Sequence, residues 1–130
     1  MIVDSSALVA MLWREPESEA FGKAITADRS PMVSAANYLE AGIVIDGERN
    51  PALSAKLDAL INELAIDIVP VTAEHAKLAR QAYRDFGKGS GHKAQLNFGD
   101  CFAYALAMER GEELLYKGDD FAYAGMARVV

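Results

Sequence analysis

The sequence predicts an α/β fold: one domain over residues 1–130, with a central parallel sheet of four or five short strands and helices on both faces. Three observations carry that expectation. Four short apolar runs, "MIVD", "PMVSA", "IDIVPV" and "ELLYK", are separated by one or two stretches of helical periodicity. Strands divided in this way need crossover connections, which makes them parallel. The chain of 130 residues, 52% hydrophobic and 25% charged, has the size and balance of a single folded core. In doubly wound sheets, sites lie at the carboxyl ends of the strands. Asp4 and the "GDD" turn fall there.

The elements follow in order. "MIVD" reads as a buried strand ending at Asp4, and Ser5 and Ser6 are good caps for the helix "SALVAMLWR". "EPESEAFGKAITA" continues as a second short helix, with Pro16 in a first-turn position. After the strand "PMVSA", "AANYLEAGIVIDGER" is a helix closed near Gly47. "PALSAKLDALINELA" places Leu53, Leu57, Leu60, Ile61 and Leu64 on one stripe, the mark of an amphipathic helix. The strand "IDIVPV" follows, and Thr72 caps the helix "AEHAKLARQAYRDF", which Gly87 ends. "GKGSGHKAQLN" is expected to be a loop and the chain's candidate mobile segment. A helix headed by Asp100 runs to Gly111, then come the strand "ELLYK", the turn "GDDF" and a possible last strand in "ARVV".

Composition narrows the function classes. No apolar run approaches the ~20 residues of a membrane span. The start "MIVDSSALVAML" lacks a basic residue before its apolar stretch, so a secretory signal is not expected. A single cysteine cannot form an internal disulfide, which suits a reducing cytoplasm. The net charge of −6 opposes general attraction to phosphates, so nucleic-acid contact needs a local basic patch or a metal. The same acidity favours a basic partner or a divalent cation.

Several acids stand in unusual places. Asp4 ends a strand, where it caps the next helix or serves a site. Glu40 shares a helix stripe with Ala36, Ile43 and Val44, beside Leu39, so it faces the packed side or its rim. A buried carboxylate there needs compensation, expected from a cation. Asp100 heads the apolar run "CFAYALA"; with Asn97 as cap it is at the third helical position, where a carboxylate favours the helix dipole by ~0.3–1 kcal/mol. Asp119 and Asp120 occupy an ordinary acidic turn. Each has a bland reading alone. Together they are expected to converge on one sheet edge, and crowded carboxylates repel unless a divalent cation sits among them. Oxygen ligands without clustered His or Cys favour Mg²⁺ or Mn²⁺ over Zn²⁺.

The segments "MIVDSSALVAML", "SAANYLEA", "LNFGDCFAYALA" and "LLYKGDDF" together resemble a PIN domain, more narrowly a VapC-type toxin of a VapBC toxin–antitoxin pair. The likeness runs from Met1 to about Met126. It implies a PIN-like fold and a ribonuclease with an acidic Mg²⁺ or Mn²⁺ site. The family's first acid falls on Asp4, its helix glutamate on Glu40 and its third acid on Asp100. The fourth falls on Asp119 or Asp120, with Asp119 the expected choice and Asp120 supporting. Ser6 matches a hydroxyl residue that supports the first acid, and Asn97 an asparagine flanking the third. The resemblance also implies an RNA substrate, a homodimer, and a VapB-like antitoxin that pushes a basic or aromatic segment into the cleft.

On this reading Asp4, Glu40 and Asp100 hold metal, and Glu40 or Asp119 orients the attacking water. Arg84, Lys88, His92 and Lys93 are the candidate RNA-binding residues, with Lys117 a second source of charge. Trp13 is expected in the core or an interface, Cys101 as a small buried hydrophobe, and His75 at the surface. A receiver domain wants adjacent acids after its first strand, and a haloacid-dehalogenase-like phosphohydrolase wants two aspartates one residue apart. "VDSSA" has neither arrangement. The remaining alternative is a PIN-like module that binds a partner without catalysis.

Overall fold

The computed structural model describes residues 1–130. Its elements are β1 (Ile2–Val3), α1 (Ser5–Leu12), α2 (Ser18–Ala27), β2 (Met32–Ser34), α3 (Ala35–Asp46) and α4 (Pro51–Glu63). They continue as β3 (Asp67–Val69), α5 (Ala73–Phe86), α6 (Phe98–Arg110), β4 (Leu114–Leu115) and α7 (Asp120–Tyr123). The four strands form one parallel sheet in the order β3-β2-β1-β4. β1 is therefore internal, and the residue leaving it lies mid-sheet at the carboxyl edge.

Strand side chains alternate between faces with a period of two, and the apolar pairs show it directly. Ile2, Met32 and Leu114 enter a core under α5, α6 and α7. Val3, Val33 and Leu115 enter a second core under α1, α2, α3 and α4. Both faces are covered, which explains why the strands read as unbroken apolar runs. No helix is long and apolar enough to cross a membrane.

Local signals fix the helix ends. Asn50 caps α4 with Pro51 in its first turn, and Gly111 ends α6 in the left-handed region at φ 62°. Thr72 caps α5 and Asn97 caps α6, each as half of a reciprocal capping box.

The structure sharpens some of these expectations and overturns others. "ARVV" contributes only an isolated bridge between Leu114 and Arg128, so the sheet has four strands. The "GDDF" turn is the entrance to α7, because Asp120 begins a short helix. The glycine–lysine loop is pinned: Leu96 N–H donates to Phe86 O at 2.9 Å, and Lys88 N–H donates to Leu96 O at 3.0 Å. Ala94 and Leu96 bury their side chains beneath it. His75 is buried, at 2% exposure, instead of lying at the surface. Its Nδ1 accepts from Thr72 N–H at 3.3 Å, and its Nε2 lies 2.6 Å from Glu109 Oε2 on α6. The ring thus replaces the usual acid of the capping box and fastens α5 to α6. Trp13 is exposed as the C-cap of α1, outside both cores.

Candidate active site

Asp4 turns from β1 into α1, and its Oδ2 accepts from Ser6 N–H at 3.0 Å. That is the capping role. Its Oδ1 is buried with no partner. A cap uses one oxygen, and an orphaned acceptor in the interior costs about 1–3 kcal/mol. Burial is the chief cause that pushes Asp4 up to about 7, opposed by its bonds to Ser6 and reinforced by the charges of Asp100 and Glu40. Ser6 further ties β4 to α1, because its hydroxyl accepts from Lys117 N–H at 3.0 Å.

Asp100 sits in the first turn of α6. Its N–H donates to Asn97 Oδ1 at 2.8 Å, and its Oδ2 accepts from Asn97 N–H at 3.0 Å. Burial raises it to about 6; the Asn97 N–H and Lys88 oppose this, and Glu40 and Asp120 add to it. Asp100 and Asn97 therefore do meet as a capping pair, but the same carboxylate faces other acids.

Glu40 occupies a different setting from the one its helix stripe implied. Leu39, Ile43 and Val44 are exposed, and α3 packs through Asn37, Ala41 and Ile45. Glu40 lies at the boundary of these faces, half-buried. No basic side chain pairs with it. Ser5 Oγ donates to its Oε1, and Asn37 Nδ2 donates to the same oxygen at 3.3 Å. Across the gap to α6, a Cβ on Gly99 would overlap the Glu40 carboxylate, so the glycine lets the carboxylate keep this position.

The two turn acids separate. Asp119 lies 3.4 Å from Arg128 Nη2, while Asp120 is the one whose charge reaches Asp100. Of the basic candidates, Lys88 acts on Asp100 and Lys93 stacks on Tyr123 at 4.4 Å. Arg84 is engaged with Gln81 on its own helix at 3.4 Å, and His92 packs edge-on against Phe86 at 4.9 Å. Lys117 is paired with Glu15 and Glu17. Cys101 is buried, and burial pushes its thiol up to about 11, which leaves it inert.

Asp4, Glu40 and Asp100 are thus brought within mutual electrostatic reach from β1, α3 and α6. They are not closed into a cage, since no three acidic, histidine or cysteine side chains surround one point. Mg²⁺ needs no such cage: it keeps several waters and binds through one or two carboxylates plus substrate oxygens. The orphaned Asp4 oxygen and the all-oxygen donor set fit that ion. Sequence reasoning missed Asn37 and Gly99, and read Ser5 only as a cap, a role that Asp4 fills. Only the glycine directly before Asp100 carried a signal, as a residue that permits close approach.

A parallel sheet with acids gathered at its carboxyl edge defines the class, and the comparisons agree. The PIN domain family model matches residues 1–125, and the chain belongs to that family. Within it the chain belongs to the VapC branch. It is 51% identical over 130 residues to Ribonuclease VapC28 of Mycobacterium tuberculosis, covering 100% of this chain and 98% of that protein. It is 46% identical over 129 residues to Ribonuclease VapC30 of the same organism, covering 99% and 98%. The crystal structure of Mycobacterium tuberculosis VapC20, a sarcin–ricin loop cleaving toxin, superposes with a TM-score of 0.74 over 97% of this chain and 95% of that one. At 16% identity that likeness speaks for the fold.

Proposed function

We propose that this chain is a metal-dependent ribonuclease that cleaves RNA phosphodiester bonds, the toxin half of a toxin–antitoxin pair neutralised by a VapB-like antitoxin. One observation carries the chemistry. Asp4 is buried with an oxygen that has no donor, beside two further acids that oppose its ionisation. A helix cap needs neither feature, whereas a divalent cation satisfies both.

Asp4, Glu40 and Asp100 would hold Mg²⁺ or Mn²⁺. We take Asp120 as the fourth acid where the sequence favoured Asp119, because Asp119 lies beside Arg128 while the charge of Asp120 acts on Asp100. Held there, such an ion would supply Lewis acidity toward water and the scissile phosphate. The chain's own residues do the rest. Asp120 would orient the attacking water and accept its proton, since both Glu40 oxygens are engaged elsewhere. Lys88, whose charge reaches the acidic edge, offsets phosphate charge there, and Lys93 on Tyr123 extends the basic surface.

The names of the VapC28 and VapC30 relatives support RNA as substrate and a VapB-like protein as partner. The acidic chain favours a cationic inhibitor segment. Leu39, Ile43, Val44 and Phe98 expose an apolar surface of the kind partners cover, which supports a homodimer and an antitoxin contact. A cytoplasmic location follows from an RNA substrate.

The test is cleavage of RNA by purified protein with Mg²⁺. Asp4→Asn and Asp100→Asn should each lower the rate by more than the roughly 10–100-fold that loss of an outer-shell partner costs. Cleavage at full rate in both variants would refute the mechanism and favour a non-catalytic partner-binding module.

A further inference from the structure

Resting on that metal-dependent reading, we infer that Asn37 is a positioning residue: with Ser5 it holds Glu40 between the segments bearing Asp4 and Asp100, where the cation would bind. Asn37 and Glu40 stand three residues apart on α3 and so lie on one helix face. Asn37 is fully buried. Its Nδ2 donates to Gly99 O at 2.9 Å and to Glu40 Oε1 at 3.3 Å. Both partners only accept, so the orientation of the amide is fixed by chemistry.

The neighbours of these partners give the arrangement its meaning. Gly99 directly precedes Asp100, and Ser5 directly follows Asp4. Ser5 Oγ donates to Glu40 Oε1, the same oxygen that Asn37 reaches. Glu40 Oε1 is therefore the point at which two side chains join the three acid-bearing segments. Oε2 is the oxygen laid against the Cβ-free face of Gly99. Ligands on separate elements bind one ion only if their separation is fixed, and this amide is the α3 side chain that bonds the first turn of α6.

Packing alone does not account for asparagine here. Its Oδ1 is buried with no partner, a desolvation cost that an apolar side chain of similar size would not incur. The residue suits donation to two acceptors better than it suits the core.

The experiment is Mn²⁺ binding to the full chain without RNA, followed by electron paramagnetic resonance, with thermal melts on every variant. Asn37→Ala and Ser5→Ala should each weaken binding about 10–100-fold, as removal of outer-shell partners does. In a Glu40→Gln background, Asn37→Ala should cost less than about a twofold further loss, because its effect passes through Glu40. A merely structural role would weaken both backgrounds alike. Ser5 is only partly buried, so Ser5→Ala remains informative if Asn37→Ala fails to fold. The inference is overturned if a folded Asn37→Ala, or Ser5→Ala, binds Mn²⁺ within about twofold of the parent, or if the Asn37 and Glu40 losses simply add. Parent protein that binds Mn²⁺ through Asp4 and Asp100 but ignores Asn37 and Ser5 would refute this inference alone. Parent protein that binds no Mn²⁺ would remove the metal-dependent reading with it.

Discussion

Asp4 sets the chemistry at the scale of single residues. Its carboxyl is raised from 3.8 to about 7, and that of Asp100 from 3.8 to about 6, chiefly by burial. Both therefore bind a proton more tightly folded than unfolded. Their contribution to stability is complete below the unfolded value and is lost as pH rises through about 6 and 7. Metal-free protein should lose stability across that window in urea melts, and Asp4→Asn should remove most of the slope; a flat profile in the parent would contradict the buried charge. Mg²⁺ should restore stability at the alkaline end, since it replaces the proton. Gly99→Ala should cost little stability, because the atoms it meets are the movable end of the Glu40 side chain, but should impair Mn²⁺ binding, because the methyl would displace that carboxylate. Asp4 and Asp100 were legible in the sequence because each interrupts an apolar run. Asn37 and Gly99 were not, because they meet across 62 residues of chain and no local pattern encodes that contact.

Among the elements, the strands and long helices were legible because period and capping agree, as in Thr72 before α5 and Asn97 before α6. The errors came where tertiary contact overrides local pattern. His75 looked like a surface residue of a first turn, yet it closes its own capping box and meets Glu109. The apolar stripe of Leu39, Ile43 and Val44 looked like core but faces outward, since α3 packs through the adjoining stripe of Asn37, Ala41 and Ile45. α7 is the element that divides the turn acids. By starting at Asp120 it leaves Asp119 outside as the N-cap, beside Arg128. Asp120→Ala should therefore slow RNA cleavage by about tenfold or more, within the range of outer-shell losses. Asp119→Ala should change it little, and the reverse order in the same assay would reassign the fourth acid.

Across the whole molecule, the alternation of strand and helix was enough to predict a parallel sheet, and the sheet order then places β1 in the interior. An internal strand delivers Asp4 to the centre of the carboxyl edge, flanked by the ends of β2 and β4. α3 brings Glu40 and α6 brings Asp100 to the same edge. A net charge of −6 makes that crowding costly and makes a cation its natural remedy. Calorimetric titration of the full chain with Mn²⁺ near pH 6.5, in two buffers of different ionisation enthalpy, tests this claim most directly. The expected result is release of about one proton per bound ion, because the cation displaces the protons that Asp4 and Asp100 together hold at that pH, and loss of most of that release in Asp4→Asn. Binding without proton release, or binding of equal strength in Asp4→Asn, would contradict it.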